Sequence, residues 1–356
     1  MKRILLIKLT SLGDLIHALP ALTDAMRAHP GLKFDWVIDE NFAEVAKWHE
    51  SVEGIYTTNH RLWRKGLLDA IGPISRLVQE IRKTRYDLII DGQGNFKTAL
   101  MSLFLKGPTA GFDRHSVRET IASFAYQRKY PASKSAHAID RLRQLFALSL
   151  DYPCPTTPPE FLINRDRFVI PSLLLPEKYI VFIHNASWKT KLWPEEYGKR
   201  LMEMIAQRGY TILLPWGNRE EKERAERMAC NNQVQVLPKL SLSEIGFVLS
   251  KALACVCMDT GLSHLVAALN IPSVTLYGST DSGLIGASGK NQRHLQSTLS
   301  CAPCNKKKCR FPTVSSISPP CLAQLTPERV FEELLIALGK PTLNICSKLH
   351  VHCKER

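Results

Sequence analysis

A carboxylate closely follows the first apolar run of this chain. Lys2-Arg3-Ile4-Leu5-Leu6-Ile7-Lys8 gives way to Leu9-Thr10-Ser11-Leu12-Gly13-Asp14, and apolar residues then recur at Ile16, Leu19, Leu22 and Met26. The pattern predicts a buried strand, a tight turn and an amphipathic helix. Asp14 then lies near the carboxyl end of a strand, where open α/β sheets hold their ligands. Two roles are open to it there, capping the helix or taking a proton as a general base. A second candidate is Asp259-Thr260-Gly261-Leu262-Ser263-His264, which follows the apolar run Leu253–Met258. Gly261 admits close approach of a ligand to the backbone, and N–H groups at the start of the next helix suit a diphosphate. The plainer alternative is that Asp259 or Thr260 caps that helix and His264 is a satisfied core histidine. Lys189 and Lys191, between His184 and Trp193-Pro194, could neutralise a leaving phosphate or be solvated loop lysines. Glu221, after Pro215-Trp216-Gly217, could accept from ribose hydroxyls or belong to the exposed charged run Arg219–Arg224.

Cys301-x2-Cys304-x4-Cys309-x11-Cys321 has partial zinc spacing, with one close pair and two scattered thiols. The alternative is a set of ordinary thiols in a basic surface loop carrying Lys306, Lys307, Lys308 and Arg310. The Gly13-Asp14 turn lacks the Gly-x-Gly-x-x-Gly fingerprint, which disfavours a nicotinamide enzyme, and neither a P-loop nor a Gly-x-Ser-x-Gly elbow is present.

The elements that must position these residues follow from size and patterning. At 356 residues the chain exceeds what one core serves, so two domains are expected. Its 45% hydrophobic and 22% charged content is that of a soluble globular protein, and no apolar run is long enough to span a bilayer. The N-terminal run is too short and polar for a signal peptide, which gives a cytoplasmic expectation. Lys+Arg 47 against Asp+Glu 33 leaves +14, an excess that favours polyanionic partners. The basic residues gather in the N-terminal half without zinc-finger, RNP-like or basic-zipper spacing, so nucleic acid is disfavoured. Strand-like Lys33–Asp39 and Asp87–Asp91 alternate with helix-like Leu68–Lys83, as in a doubly wound parallel sheet. Prolines 153, 155, 158, 159 and 171 crowd a connecting segment, after which Tyr179–His184, Thr211–Leu214, Leu253–Met258 and Ser273–Tyr277 repeat the strand pattern. The expected division is 1–165, 166–340 and a tail at 341–356, with a cleft between two doubly wound domains. Pro20 is expected to kink the helix that Asp14 opens.

Taken in order, these segments resemble glycosyltransferase family 9, the lipopolysaccharide heptosyltransferases. The resemblance is carried by Ile7-Lys-Leu-Thr-Ser-Leu-Gly-Asp-Leu-Ile-His-Ala-Leu-Pro-Ala-Leu22, Lys33–Asp39, Arg61-Leu-Trp-Arg-Lys65, Asp91-Gly-Gln-Gly-Asn-Phe-Lys97 and Arg118-Glu-Thr-Ile-Ala-Ser123. It resumes at Leu192-Trp-Pro-Glu-Glu196, Leu214-Pro-Trp-Gly217, Asp259–His264 and Tyr277-Gly-Ser-Thr-Asp-Ser-Gly-Leu-Ile-Gly286. Lys33–Asp39, Arg61–Lys65 and Asp281–Gly286 are most similar to the heptosyltransferase I branch, which adds the first heptose to Kdo-lipid A. The resemblance implies a GT-B fold, two facing Rossmann-like domains with parallel sheets and an interdomain cleft. It implies ADP-L-glycero-β-D-manno-heptose as donor, the Kdo of Kdo-lipid A as acceptor, and inversion at the anomeric carbon.

By the same resemblance Asp14 is the general base and Lys191 stabilises the departing ADP. Ser187, Glu221, Asp259, Thr260, Gly261, Leu262 and His264 hold the donor. Arg61, Arg64, Lys65, Lys97, Arg118, His137 and Arg141 meet the acidic acceptor, for which arginine forks are suited. No cofactor is implied, and a divalent cation is left open. The chain is expected to work peripherally on the inner face of the inner membrane, touching its anionic surface. Two departures stand out. Ala186-Ser187 replaces paired hydroxyls after His184, and the Cys301–Cys321 segment is more like the enzyme that extends an already heptosylated core.

Overall fold

Apolar runs that parallel pairing buries on both faces dominate the centre of each half of this chain. The computed structural model describes residues 3–59, 67–229, 231–311 and 319–340. In the first half β1 (Arg3–Ile7), β2 (Lys33–Asp39), β3 (Val52–Thr58), β4 (Leu88–Asp91), β5 (Thr109–Phe112) and β6 (Arg128–Tyr130) form one parallel sheet. Their order is β3-β2-β1-β4-β5-β6. In the second half β7 (Tyr179–Ile183), β8 (Thr211–Leu214), β9 (Val234–Val236), β10 (Ala254–Met258), β11 (Ser273–Tyr277) and β12 (Gln292–Gln296) form another. Its order, β12-β11-β10-β7-β8-β9, is the first sheet's order repeated. In both sheets the winding reverses at the central pair, β1/β4 and β7/β10. A crevice opens beyond the strand ends at such a reversal. Asp14 follows β1, and the Asp259–His264 segment follows β10, so both candidates sit at switch points.

The helix expected from Leu12 onward is two helices. Leu12–Ile16 ends at His17, and a second helix, Leu19–Ala28, carries Pro20 in its first turn. Proline there removes an N–H that has no intrahelical partner, so Pro20 starts a helix rather than kinking one. The break frees His17 to face the other half of the molecule.

The proline-crowded connector is packed rather than loose. Phe161 and Phe168 are buried, Ile163 bridges antiparallel to His49, and Arg143 donates to the Thr157 carbonyl at 2.7 Å. Phe168 meets Trp48 edge-on at 5.2 Å between ring centroids and also touches the Leu242–Lys251 helix at Gly246. The core is thus continuous from one half to the other. Arg61, Arg64, Lys65 and the tail at 341–356 lie outside the described residues.

Candidate active site

Asp14 occupies the first turn of the Leu12–Ile16 helix and caps it. The Ser11 N–H and hydroxyl donate to its Oδ2 at 2.8 and 2.9 Å. Capping therefore accounts for one oxygen; among the described residues no hydrogen bond reaches Oδ1. Burial alone would raise the Asp14 pKa, but the Lys8 ammonium, both Ser11 hydrogen bonds and His264 outweigh it and hold the carboxyl below its ordinary value. The group is ionised at neutral pH, as a proton acceptor must be.

Lys8 is buried beside it and donates to the Gly92 carbonyl at 3.0 Å. Desolvation lowers its pKa, while Asp14 and Asp91 oppose that shift. Gln93 Oε1 accepts from the N–H groups of Leu9 and Thr10 at 2.9 and 3.2 Å, which ties the loop after β1 to the loop after β4. Asp91, buried and with its pKa raised by desolvation, anchors that second loop. It accepts from the N–H groups of Gln93 and Gly94 at 2.9 and 3.0 Å and from the Tyr126 hydroxyl at 2.7 Å.

The two halves meet at this point through two glycines. A Cβ on Gly13 would lie 2.6 Å from His264 Cδ2, and a Cβ on Gly261 would lie 2.6 Å from Leu12 Cβ. Only hydrogen fits at either position, so the Leu12–Ile16 and Gly261–Ala268 helices approach as closely as backbones allow. His17 Nε2 and His264 Nδ1 share a hydrogen bond of 3.0 Å across the junction. Burial pushes His264 down to about 4 and His17 well below its ordinary value, so both rings are neutral at pH 7.

A cleft of about 860 Å³ opens on the second-half side of this junction. Lys191 Nζ pairs with Asp259 Oδ2 at 2.7 Å and lies 4.7 Å from the centre of the Trp188 ring. Thr280 also donates to that Asp259 oxygen. Glu221 Oε2 accepts from the Gly217 N–H at 2.7 Å, and Asn218 caps its helix through the Glu221 N–H at 3.0 Å. The Trp216 indole, fixed by donation to the Leu237 carbonyl at 2.6 Å, adds an apolar wall together with Leu242 and Ile245. The cleft therefore combines a flat apolar region, a carboxylate at its rim, and a lysine beside a helix N-terminus. Such a set suits a nucleoside diphosphate.

A second cavity, about 380 Å³, lies on the first-half side and is strongly basic, with Lys8, Arg118, Lys134 and Arg141 on its walls. Arg141 donates to the Ser116 carbonyl and stacks 5.1 Å from the Phe112 ring, which aims its guanidinium. Asp14, His17 and Arg118 line both cavities. An ionised carboxylate stands where a space fit for a nucleotide meets a space fit for an acid.

The glycosyltransferase family 9 (heptosyltransferase) profile matches residues 74–315. Over 352 residues the chain is 44% identical to lipopolysaccharide heptosyltransferase 1 of Pseudomonas aeruginosa, covering 95% of this chain and 99% of that one. The chain belongs to glycosyltransferase family 9. The solved structure of E. coli heptosyltransferase WaaC with ADP-2-deoxy-2-fluoro heptose matches it at a TM-score of 0.78 and 38% identity, over 92% of this chain and 97% of that one. Lipooligosaccharide heptosyltransferase 2 of Haemophilus influenzae is 31% identical over 122 residues, 32% of this chain and 35% of its own length. The paired sheets are accordingly the GT-B fold of this family.

For a family 9 chain, most of the expected positions converge. Ser187, Lys191, Glu221, Asp259, Thr260, Gly261, Leu262 and His264 line the larger cleft, and Arg118 and Arg141 line the basic cavity. His137 is placed otherwise. It caps the Ala138–Leu150 helix, and its Nε2 lies 3.0 Å from the Gly286 carbonyl of the other half, 5.5 Å from His17 by ring centroid. It is a bridge beside the cavities and is not among their lining residues. Lys97 is exposed on the outer face of the Phe96–Leu103 helix, also away from the lining. Cys301 and Cys304 are half-buried, Cys309 is exposed and Cys321 is buried. Among the described residues no group of three or more His, Cys, Asp or Glu is placed to hold a metal, so the partial zinc spacing is not assembled into a site. Sequence reasoning missed Lys8, Gln93, Lys134, Trp216 and Asn218. Lys8 and Gln93 carried a usable signal, since each polar side chain stands at the end of a buried strand of the first sheet.

Proposed function

We propose that this chain transfers L-glycero-D-manno-heptose from ADP-L-glycero-β-D-manno-heptose to a hydroxyl of the Kdo of Kdo-lipid A, with inversion. The observation that carries the reading is Asp14 at the meeting of the two cavities, ionised and with one oxygen uncommitted. The second half, residues 166–340, holds the donor. Its diphosphate lies at the N-terminus of the Gly261–Ala268 helix, with Lys191 beside it and the ribose at Glu221. The first half, residues 1–165, holds the acceptor, whose carboxylate and phosphates meet Arg118, Lys134 and Arg141.

The reaction is one displacement. The acceptor hydroxyl oxygen attacks the heptose anomeric carbon as Asp14 takes its proton, and the bond from that carbon to the diphosphate oxygen breaks on the opposite face. A carboxylate of low pKa suffices because the hydroxyl becomes acidic only as the new bond forms. Charge then grows on the departing ADP, where Lys191 and the helix N–H groups are already aimed. Lys191 is held for this by Asp259 and the Trp188 ring, so little reorganisation is needed. A lipid-linked acceptor places the chain peripherally at the cytosolic face of a membrane.

The rival reading, transfer to an already heptosylated core, is favoured only by the cysteine segment, while the full-length likeness is to a heptosyltransferase 1. Turnover of ADP-heptose with purified Kdo-lipid A, set against a heptose-bearing core, separates them. Transfer to Kdo-lipid A is expected; transfer only to the heptosylated core would overturn the assignment.

A further inference from the structure

The Phe96–Leu103 helix carries large apolar residues on its solvent side as well as on its core side. Its inner face buries Met101 in the core together with the smaller Thr98, Ala99 and Ser102, both hydroxyls being returned to backbone carbonyls of the same helix or its cap. Its outer stripe is Phe96, Leu100, Leu103 and the following Phe104, at the i, i+4, i+7, i+8 spacing of a single helical face. The Thr120–Ala125 turn packs against this helix and presents Ile121 and Phe124 to solvent. The six side chains are between 39% (Leu100) and 78% (Phe124) exposed. Solvated proteins rarely leave a patch of that kind without a use.

Charge identifies the occupant. Residues 95–106 and 114–130 contain six bases, Lys97, Lys106, Arg114, Arg118, Arg128 and Lys129, and one acid, Glu119. All six bases are exposed. Glu119, whose carboxylate accepts the Phe96 N–H at 2.8 Å, offsets one of them and leaves an excess of five positive charges. Apolar side chains ringed by cations are the surface that an anionic bilayer binds, with the rings entering the headgroup boundary and the bases meeting the lipid phosphates. The patch is also continuous with the basic cavity. Val117 and Arg118 line that cavity and lead directly into the turn, and the Glu119 N–H donates to the Gly94 carbonyl at 3.1 Å. Among the described residues no helix is long and apolar enough to cross a membrane, so attachment through this region would be to the surface.

We propose that the Phe96–Phe104 stripe, the Ile121–Phe124 turn and their surrounding bases form a docking face for an anionic lipid bilayer. It sets the basic cavity against the membrane in which the acceptor's lipid is anchored. The proposal rests on the lipid-linked acceptor read above.

The test is sedimentation of the full chain with vesicles of 70:30 phosphatidylcholine:phosphatidylglycerol and of phosphatidylcholine alone. Wild type is expected to partition onto the anionic vesicles, increasingly as salt is lowered. Ile121→Ser/Phe124→Ser, two exposed positions outside the reaction site, should reduce that partition about tenfold or more. Arg128→Gln/Lys129→Gln should remove much of the preference for anionic over neutral vesicles. Turnover on a water-soluble Kdo acceptor should be unchanged in both variants, whereas turnover on Kdo-lipid A held in vesicles should fall with the partition. Wild type that ignores anionic vesicles, or an Ile121→Ser/Phe124→Ser variant that binds them as wild type does, overturns the docking face. So does a variant that only converts a dimer to a monomer, which would make the patch a protein interface. Loss of transfer to every Kdo acceptor, with vesicle binding behaving as expected, would instead refute the assigned reaction and leave the face standing.

Discussion

Gly13→Ala adds one methyl group at the point where the two halves touch. Gly13 is not among the positive-φ residues, so alanine introduces no backbone strain and the effect is steric. The new carbon would sit 2.6 Å from His264 Cδ2 and 3.0 Å from Nε2. Non-bonded carbons settle at about 3.5 Å or more, so the ring must retreat by about 1 Å. That ring is buried and held by His17 at 3.0 Å, so it can retreat only by giving up that hydrogen bond or by moving into the cleft it lines. If the halves stay together, overpacking of this kind costs about 1–3 kcal/mol. If they part, the base and the donor helix separate by a comparable distance, and a displacement of that size lowers a rate by about 10²-fold. The expected result is a kcat 10- to 100-fold lower, in order of magnitude, with ADP affinity changed by no more than about threefold because Lys191, Asp259 and Glu221 are untouched. Continuous detection of released ADP gives kcat, and calorimetric titration gives the affinity. A Cβ at Gly72 meets nothing within 4 Å, so Gly72→Ala is the matched control. A Gly13→Ala enzyme with wild-type kcat would refute the claim that catalysis needs this close approach.

Other substitutions test other parts of the structure. Lys191→Met leaves Asp259 buried without its cation and removes the positive charge at the leaving group; single-turnover transfer should slow by about 10²–10³-fold and ADP binding should weaken. Arg143→Ala strands Asp24, whose carboxylate the buried guanidinium grips at 2.6 and 3.2 Å, and urea titration should show a loss of about 3–5 kcal/mol. Stability should also fall with acid. Burial pushes His49 and His264 down to about 4 and His184 to about 3, while unfolded histidine keeps its ordinary value near 6.5. Their neutral-state stabilisation is complete above about pH 6.5 and is lost progressively toward pH 4, by order of 1–2 kcal/mol per histidine at pH 5. Urea midpoints at pH 7.5 and 5.0 measure it, and equal midpoints would show the rings to be charged or exposed in the folded state.

Much of this architecture was legible because parallel strands buried on both faces must be apolar along their length. Lys33–Asp39, Thr211–Leu214 and Ser273–Tyr277 are strands with the boundaries their composition suggests. Pro20 was harder to place, since a proline is compatible with a kinked helix or with the first turn of a new one. What decides is the buried His17 facing His264, a contact across 247 residues. The same separation hid the roles of Gly13 and Gly261, which look like ordinary turn glycines until the opposing helix is present. Asp14 carried two readings, and both proved compatible, because a carboxylate has two oxygens and the cap uses one. The basic cavity was only partly legible. Arg118 and Arg141 follow from the family pattern, whereas Lys8 is marked in the sequence as a polar residue at a buried strand's end and gains its place beside Asp14 only through the fold.

The central claim is that Asp14 takes the proton of the attacking hydroxyl. Asp14→Asn is nearly isosteric, and its amide oxygen can keep both Ser11 hydrogen bonds, so helix and cleft should be preserved. The decisive measurement is the single-turnover rate of heptose transfer from ADP-heptose to Kdo-lipid A, with ADP affinity determined on the same preparation. The structure predicts an affinity within about twofold of wild type and a transfer rate lower by 10²–10⁴-fold, the usual range for removing a general base. Transfer within about tenfold of wild type at matched affinity would contradict the account and leave Asp14 as a helix cap alone.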